Sequence, residues 1–280
     1  MMDLHCHSFF SDGTASPGEL VSQARAAQLD LVALTDHDCI DGLPDFYAAA
    51  MEAGQPVLYG IEMDVSTDSL SPKLELHMLC YGFSITDLAL RTLLHTQVTE
   101  RNARNLRIVD KLAAMGIAID LPADKQGTVS RAHIAKALVE ARQASDIPHA
   151  FARFLSPGAA AYDPVKKPAA ADVISLIHRA GGVCVLAHPM LIHADPYPLM
   201  EELAGLGMDG VEVYYPSHSA ADMVRLRQWT LEHQLLLSTG SDDHGNMRQG
   251  AYLGMLAALS ARDPALQCTQ ERMMELAQLP

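Results

Sequence analysis

Five short polar stretches, each closing a short apolar run, constrain this chain more than anything else in its 280 residues. They are Asp3-Leu4-His5-Cys6-His7 with Ser11-Asp12-Gly13, then Thr35-Asp36-His37-Asp38, Gly60-Ile61-Glu62, Ala187-His188-Pro189 and Ser241-Asp242-Asp243-His244. The apolar runs before them read as β-strands. In a parallel barrel the C-terminal ends of the strands share one mouth. Imidazoles and carboxylates delivered there from distant parts of the chain would converge on a multinuclear metal site.

The rhythm along the chain supports that placement. Candidate strands are Met2–His5, Leu31–Thr35, Val57–Val65, Leu74–Cys80, Val183–Ala187, Gly210–Tyr214 and Leu235–Thr239. A helix begins at Ser16-Pro17-Gly18-Glu19, a capping box with Pro at the first helical position, and runs to about Gln28. Others are expected over Leu43–Ala53, ended by a Gly54 cap, over Ala170–Ala180 and over His218–His233. Alternating strands and helices with short connections predict a parallel α/β barrel. From Asp87 to Val165 the pattern is helical only (Thr92–Met115, Arg131–Arg142, Ile147–Leu155). The expected organisation is therefore a barrel from 1–86 and 166–280, with 87–165 as a helical insertion and substrate lid.

On a strand, residues two apart face the same way, so His5 and His7 can grip one ion while Cys6 points into the layer behind. Asp3, on the same face, could orient a ligand as an outer acceptor. Asp12 follows in a turn, His37 stands just past its strand, and Glu62 could bridge two cations. His77 sits within Leu74–Cys80 and shares a face with Glu75 and Leu79; His188, Asp242 and His244 complete the set. Nitrogen and oxygen donors without thiolate favour two or three divalent ions, with Mn2+ first and Fe2+ or Zn2+ as alternatives. Bridged cations would activate water near neutral pH and neutralise phosphoryl oxygens.

Composition excludes several other classes. A formal charge of −14 argues against a surface that holds long nucleic acid, though metals and local Arg or Lys could still draw in a small phosphorylated substrate or a short RNA end. The cysteines (Cys6, Cys39, Cys80, Cys184, Cys268) are odd in number, scattered and lack a CxxC pair, so neither a disulfide framework nor a zinc knuckle is expected. The chain starts at Met1-Met2-Asp3 and enters the first motif at once, and no apolar run approaches the ~20 residues of a membrane span. The expectation is a cytoplasmic protein with no membrane partner.

The run Asp-Leu-His-Cys-His-Ser…Ser-Asp-Gly-Thr, followed by Leu-Thr-Asp-His-Asp, Gly-Ile-Glu, Ala-His-Pro and Gly-Ser-Asp-Asp-His-Gly, resembles the polymerase and histidinol phosphatase (PHP) family. The resemblance implies a distorted (β/α)7 barrel with a trinuclear centre. By that likeness His5, His7, Glu62 and Asp242 would hold one metal, Glu62, His77 and His188 the second, and Asp12, His37 and His244 the third. More narrowly, the insertion with Ser130-Arg131-Ala132-His133-Ile134-Ala135 is similar to the branch of 3′,5′-nucleotide bisphosphate phosphatases and related 5′→3′ exoribonucleases.

Substrate recognition must come from outside the ligands. Ser130, Arg131 and His133 fall at an expected helix N-terminus, where free backbone N–H groups favour anions. Arg101, Arg104 and Arg107 recur along the first insertion helix at a spacing of three, a charged face from which Arg104 is the substrate candidate. Lys166 and Lys167 read as solvated. His218 follows a strand end and could meet the leaving group or the substrate phosphate, beside Glu62, Asp242 and His244 as the catalytic set; Glu212 could equally be a buried pair. The leading expectation is a phosphatase that removes the 3′-phosphate of nucleoside 3′,5′-bisphosphates through a metal-activated hydroxide. The alternatives are an exoribonuclease on short 5′-phosphorylated RNA, a histidinol phosphate phosphatase and, remotely, a non-catalytic PHP interaction module.

Overall fold

The computed structural model describes residues 1–68, 75–121, 127–192, 194–248 and 250–277. The start of the expected strand at Leu74 lies outside them. The chain runs β1 (Met2–Asp3), α1 (Pro17–Ala26), β2 (Leu31–Leu34), α2 (Leu43–Ala53), β3 (Val57–Asp64) and β4 (His77–Tyr81). The insertion follows as α3 (Leu88–Ala114), α4 (Arg131–Glu140) and α5 (Ile147–Ala150), continued by a π-helical turn over Phe151–Leu155. The barrel resumes with α6 (Ala170–Arg179), β5 (Val183–Leu186), α7 (Pro196–Gly205), β6 (Gly210–Tyr214), α8 (Ala220–Glu232), β7 (Leu236–Thr239), α9 (Ala257–Ser260) and α10 (Pro264–Ala277).

The local signals act as expected. Ser16 Oγ accepts from the Glu19 N–H at 3.2 Å while Glu19 Oε2 accepts from the Ser16 N–H at 2.7 Å, which closes the capping box of α1. Gly54 ends α2 in the left-handed region at φ 63°. The expected helix over Ile147–Leu155 breaks midway, because its second half winds with the wider π spacing, a feature frequent at functional sites. Helices α7 and α10 add to those read from the sequence.

The seven strands hydrogen-bond in sequence order and form a nearly closed α/β barrel. Across the seam the Leu4 N–H donates to Thr239 O at 3.0 Å, the Asp242 N–H to His5 O at 2.8 Å and the His7 N–H to Asp243 O at 2.9 Å. One expectation fails: the barrel is not all parallel. Strand β4 runs antiparallel to both β3 and β5. A short reversal from β3 into β4 needs no crossover helix, and the sequence indeed has none there. The consequence is functional, because a reversed strand brings its first residue to the mouth. His77 therefore lies directly opposite Asp64 at the end of β3.

The described residues form two separate apolar clusters. The larger, with Leu31, Leu58, Ile61, Leu79, Val185, Val211 and Leu237, fills the barrel and the layer beneath its helices. The smaller, with Ile108, Leu112, Ile134, Leu138, Phe154 and Leu155, lies wholly within the insertion. Helix α10 packs across β7 and β3 and sets Leu276 against Gly82, closing the end opposite the motif residues.

Gly240 permits the seam to close beneath those residues. A Cβ there would stand 2.2 Å from His5 Cβ and 2.8 Å from Glu212 Oε1. Gly240→Ala is expected to destabilise the protein by about 1–3 kcal/mol through overpacking, read as a lower urea midpoint. An unchanged midpoint would mean the two strands can separate at no cost.

Candidate metal centre

Glu62, the last residue but two of β3, is 1% exposed and lies at the middle of the mouth. Its Oε2 lies 3.2 Å from His5 Nε2, 3.2 Å from His7 Nε2 and 3.2 Å from His37 Nδ1. Its Oε1 lies 2.7 Å from His77 Nδ1 and 3.0 Å from His188 Nε2. Asp242 Oδ1 stands 3.3 Å from His5 Nε2, 3.2 Å from His7 Nε2 and 3.4 Å from His244 Nδ1. Asp12 Oδ1 lies 3.3 Å from His244 Nε2 and 3.8 Å from His37 Nε2. All nine residues named as ligands from the sequence thus converge on one centre.

Their donor atoms resolve into three overlapping groups: His5, His7, Glu62 and Asp242; His37, Glu62 and His77; and His7, Asp12, His37 and His244. The first is the set expected from the sequence. In the second and third, His37 and His7 lie between neighbouring groups, and His188 reaches the second through Glu62 Oε1.

The centre suits divalent cations on its own chemistry. Among the described residues, His7 Nε2, Asp12 Oδ1 and His37 Nδ1 are buried and make no well-aligned hydrogen bond despite the nearby carboxylates and imidazoles, a costly state for polar atoms that a shared ion would relieve. Burial raises the carboxyls of Glu62 and Asp242, but the surrounding imidazoles outweigh it and hold both well below the usual range. Burial likewise lowers His7, yet Asp242 and Glu62 lift it to about 9. Ionised carboxylates interleaved with imidazoles, and no thiolate, form an oxygen–nitrogen site. Cys6 indeed turns away, its Sγ donating to Ala33 O at 3.2 Å.

Outer contacts fix the ligands. Glu212 Oε1 accepts from His5 Nδ1 at 3.0 Å and its Oε2 from the His188 N–H at 2.8 Å, so Glu212 is a buried partner of two ligands. Asp3 touches no imidazole. It accepts from the N–H groups of His5, Ser241 and Gly254 and pins the backbones that carry His5 and Asp242. Asp36 gathers Ser8 and Ser11 and so shapes the turn that presents Asp12. His188, Asp38 and Asp242 all have positive φ, backbone strain of the kind that concentrates at functional sites.

Three participants escape the sequence reading. Asp64 stands 2.8 Å from His77 Nε2; its spacing of two from Glu62 on a strand was the available signal. The Tyr215 hydroxyl donates to Asp242 Oδ2 at 2.6 Å, and Arg248 pairs with the same oxygen while lying 5.5 Å over the Tyr215 ring. Arg248 occupies irregular chain past His244, where no periodicity marks it.

The centre opens into a cavity of about 1030 Å³. Ser130 and Arg131 line it, facing Arg248 and the ligands. Ser130 caps α4, and Arg131 pairs with Glu75 and lies 5.8 Å over the Phe151 ring. His133 turns back on its own helix, where its Nδ1 accepts from the Ser130 N–H at 3.1 Å. Arg104 is 2% exposed, and its Nε and Nη2 have no hydrogen-bond partner among the described residues. Burial, then Arg101 and Arg131, push its guanidinium down from the usual arginine range. Arg107 leaves this face and pairs with Asp163 on the surface. Lys167, read as solvated, instead comes within 3.7 Å of Asp64 Oδ1. His218 is 4% exposed and is not among the cavity-lining residues; its Nδ1–H donates to Val213 O at 3.0 Å, its ring lies 5.1 Å from Tyr215, and its Nε2 has no hydrogen-bond partner among the described residues.

Comparison with known proteins agrees with this geometry. The PHP domain profile matches residues 3–156. A 5′-3′ exoribonuclease of Haemophilus influenzae is 33% identical over 248 residues, covering 86% of this chain and 89% of that protein. A 3′,5′-nucleoside bisphosphate phosphatase of Chromobacterium violaceum is 33% identical over 265 residues, covering 90% of each. Among solved structures, a protein of Bifidobacterium adolescentis assigned as a metal-dependent phosphoesterase superposes with a TM-score of 0.81 at 30% identity, covering 91% of both chains. With its ligand-bearing strand ends, its reversed fourth strand and these relatives, this chain belongs to the PHP domain family of metal-dependent phosphoesterases.

Proposed function

We propose that this protein removes the 3′-phosphate of nucleoside 3′,5′-bisphosphates and leaves the 5′-monophosphate. The observation that carries the reading is a second cationic group facing the metal centre across one cavity. Arg131 lines the cavity from the first turn of α4; Arg104, which is not among the lining residues, is buried near it with Nε and Nη2 unpartnered among the described residues. A substrate with one phosphate at the centre and another about a ribose away would satisfy both. The intervening wall, with Val139, Ile147 and Phe151, offers apolar surface to the nucleoside. The sequence relative named as a bisphosphate phosphatase supports the same assignment.

The residues divide the work. His5, His7, Glu62 and Asp242 would hold one ion, His77, His188 and Glu62 a second, and Asp12, His37 and His244 a third. Divalent cations, with Mn2+ the expected choice, would supply Lewis acidity, lowering the proton affinity of water and neutralising phosphoryl oxygens. Glu62, whose two oxygens face different imidazoles, would serve both of the first two ions. Tyr215 and Arg248 hold Asp242 by its outer oxygen, leaving the inner one to the imidazoles. Arg131 and Ser130 orient the non-reacting phosphate through charge-assisted hydrogen bonds and the helix N-terminus. Arg248, which also lines the cavity, would add positive charge beside the reacting phosphate. His218 supports Tyr215 from behind.

A second reading is 5′→3′ cleavage of short 5′-phosphorylated RNA, with Arg131 gripping the terminal phosphate; the Haemophilus relative favours it. The net charge of −14 restricts either substrate to small size. Incubating the Mn2+-loaded protein with adenosine 3′,5′-bisphosphate and with a 5′-phosphorylated trinucleotide separates them. Conversion of the first alone to AMP and phosphate supports the phosphatase; stepwise release of mononucleotides from the second supports the nuclease.

Arg131→Ala is expected to raise KM for the bisphosphate roughly 10- to 100-fold, the loss of one charge-assisted contact of about 1.5–3 kcal/mol. Hydrolysis of a simple aryl phosphate should be unaffected, and equal losses on both substrates would remove the second phosphate pocket. Chelation should abolish turnover, and added Mn2+ should restore it. Full activity in protein shown to be metal-free would overturn the metal assignment.

A further inference from the structure

The insertion reaches the carboxylates behind the metal ligands through a buried arginine. Arg101 on α3 is 6% exposed and spreads its guanidinium over two carboxylates. Its Nε donates to Asp38 Oδ2 at 2.8 Å, and its Nη2 donates both to that oxygen and to Asp64 Oδ2, the latter at 2.7 Å. The other oxygen of Asp64 stands 2.8 Å from His77 Nε2. The opposite face of that imidazole presents Nδ1 to Glu62 Oε1 at 2.7 Å. Asp38 is tied in as well. Its N–H donates to Glu62 O at 2.9 Å and its Oδ1 accepts from the Asp64 N–H at 3.2 Å.

A carboxylate on one ring nitrogen of a histidine holds the proton there and leaves the other nitrogen as a lone-pair donor. Asp64 is placed to do this for His77 when a cation is bound, with Nε2 turned to the aspartate and Nδ1 to the centre. An aspartate fixed through only one oxygen can still swivel; Arg101 holds the second. Because Arg101 also grips Asp38, whose backbone is bonded to that of Glu62, its position is set by the same strand end that carries the bridging carboxylate. Two of its three guanidinium nitrogens are thereby committed, which disfavours the alternative in which Arg101 grips a substrate phosphate.

We propose that Arg101 is a positioning residue of the metal centre: through Asp64 it fixes the His77 ring as a ligand, so that the helical insertion completes the metal site as well as covering it. The proposal rests on the ligand assignment above and requires no particular substrate.

The test is a titration of Mn2+ alone into metal-stripped full-length protein, with free ion read by its electron paramagnetic resonance signal. Asp64→Asn and Arg101→Ala are each expected to weaken one class of bound Mn2+ roughly 10- to 100-fold, the usual effect of losing a partner behind a ligand, and to leave the tighter class unchanged. Arg101→Lys, which keeps the charge but cannot span both carboxylates, should fall between. At saturating Mn2+, KM for adenosine 3′,5′-bisphosphate should stay within about threefold of the parent. Unaltered Mn2+ binding would overturn the proposal, whether KM rises, which would make Arg101 a substrate ligand, or does not. If Arg101→Ala fails to fold because two buried carboxylates face each other, Asp64→Asn carries the same test. Weakened Mn2+ binding in a protein inert toward the bisphosphate would sustain the proposal while removing the assigned substrate.

Discussion

An ionised carboxylate buried at the end of a barrel strand is intolerable unless positive charge or hydrogen-bond donors surround it. Glu62 is that group here, and much of the structure follows from keeping it charged. Five imidazoles approach its two oxygens, and they come from four strand ends: His5 and His7 follow β1 as alternate residues on one face, while His37, His77 and His188 come from the ends of β2, β4 and β5. The barrel supplies those ends. It also explains the close seam at Gly240, where the first and last strands must approach for His5 and Asp242 to face Glu62 together.

Strand reversal solves a geometric problem that a uniform barrel would leave open. Were β4 parallel to its neighbours, the residue at its start would lie at the far end, beside α10. Running it backwards puts His77 at the mouth, opposite Asp64, so one β3–β4 pair delivers Glu62, Asp64 and His77 together. The price is an antiparallel edge inside an otherwise parallel sheet, and the hydrogen-bonded ladder on both sides absorbs it.

The ligands were legible because their chemistry is unusual for strand ends. His, Asp and Glu interrupting apolar runs carry a signal strong enough to survive without a structure, and periodicity located the strands around them. Strand direction was not legible, since an alternating apolar run reads the same in either sense. The burial of Arg101 and Arg104 on α3 was not legible for a different reason. A spacing of three on a helix marks a shared face, but whether that face meets solvent or protein depends on what packs there. Arg101 and Arg104 are buried, whereas Arg107, one turn on, stays half-exposed. Tyr215 and Arg248 could not be found by pattern at all, because they reach Asp242 from irregular chain.

The junction between barrel and insertion shows why such polar contacts matter. Each side has its own apolar cluster, and the inner face of α3 near the mouth carries Gln97, Arg101, Arg104 and Asn105, all at most 6% exposed. Apolar packing is tolerant of small slides, and a helix seated by it alone could shift along the barrel rim at modest cost. Buried charge pairs are not tolerant. Their desolvation is repaid only in good geometry, and displacement leaves a charge stranded. Arg101 between Asp38 and Asp64 therefore gives α3 one register over the mouth. That register also sets where α4 presents Arg131, because Asn105 Nδ2 on the same helix donates to Val129 O at 2.9 Å, just ahead of the Ser130 cap. The distance between the metal ligands and the second cationic group is thus fixed by polar contacts along one helix.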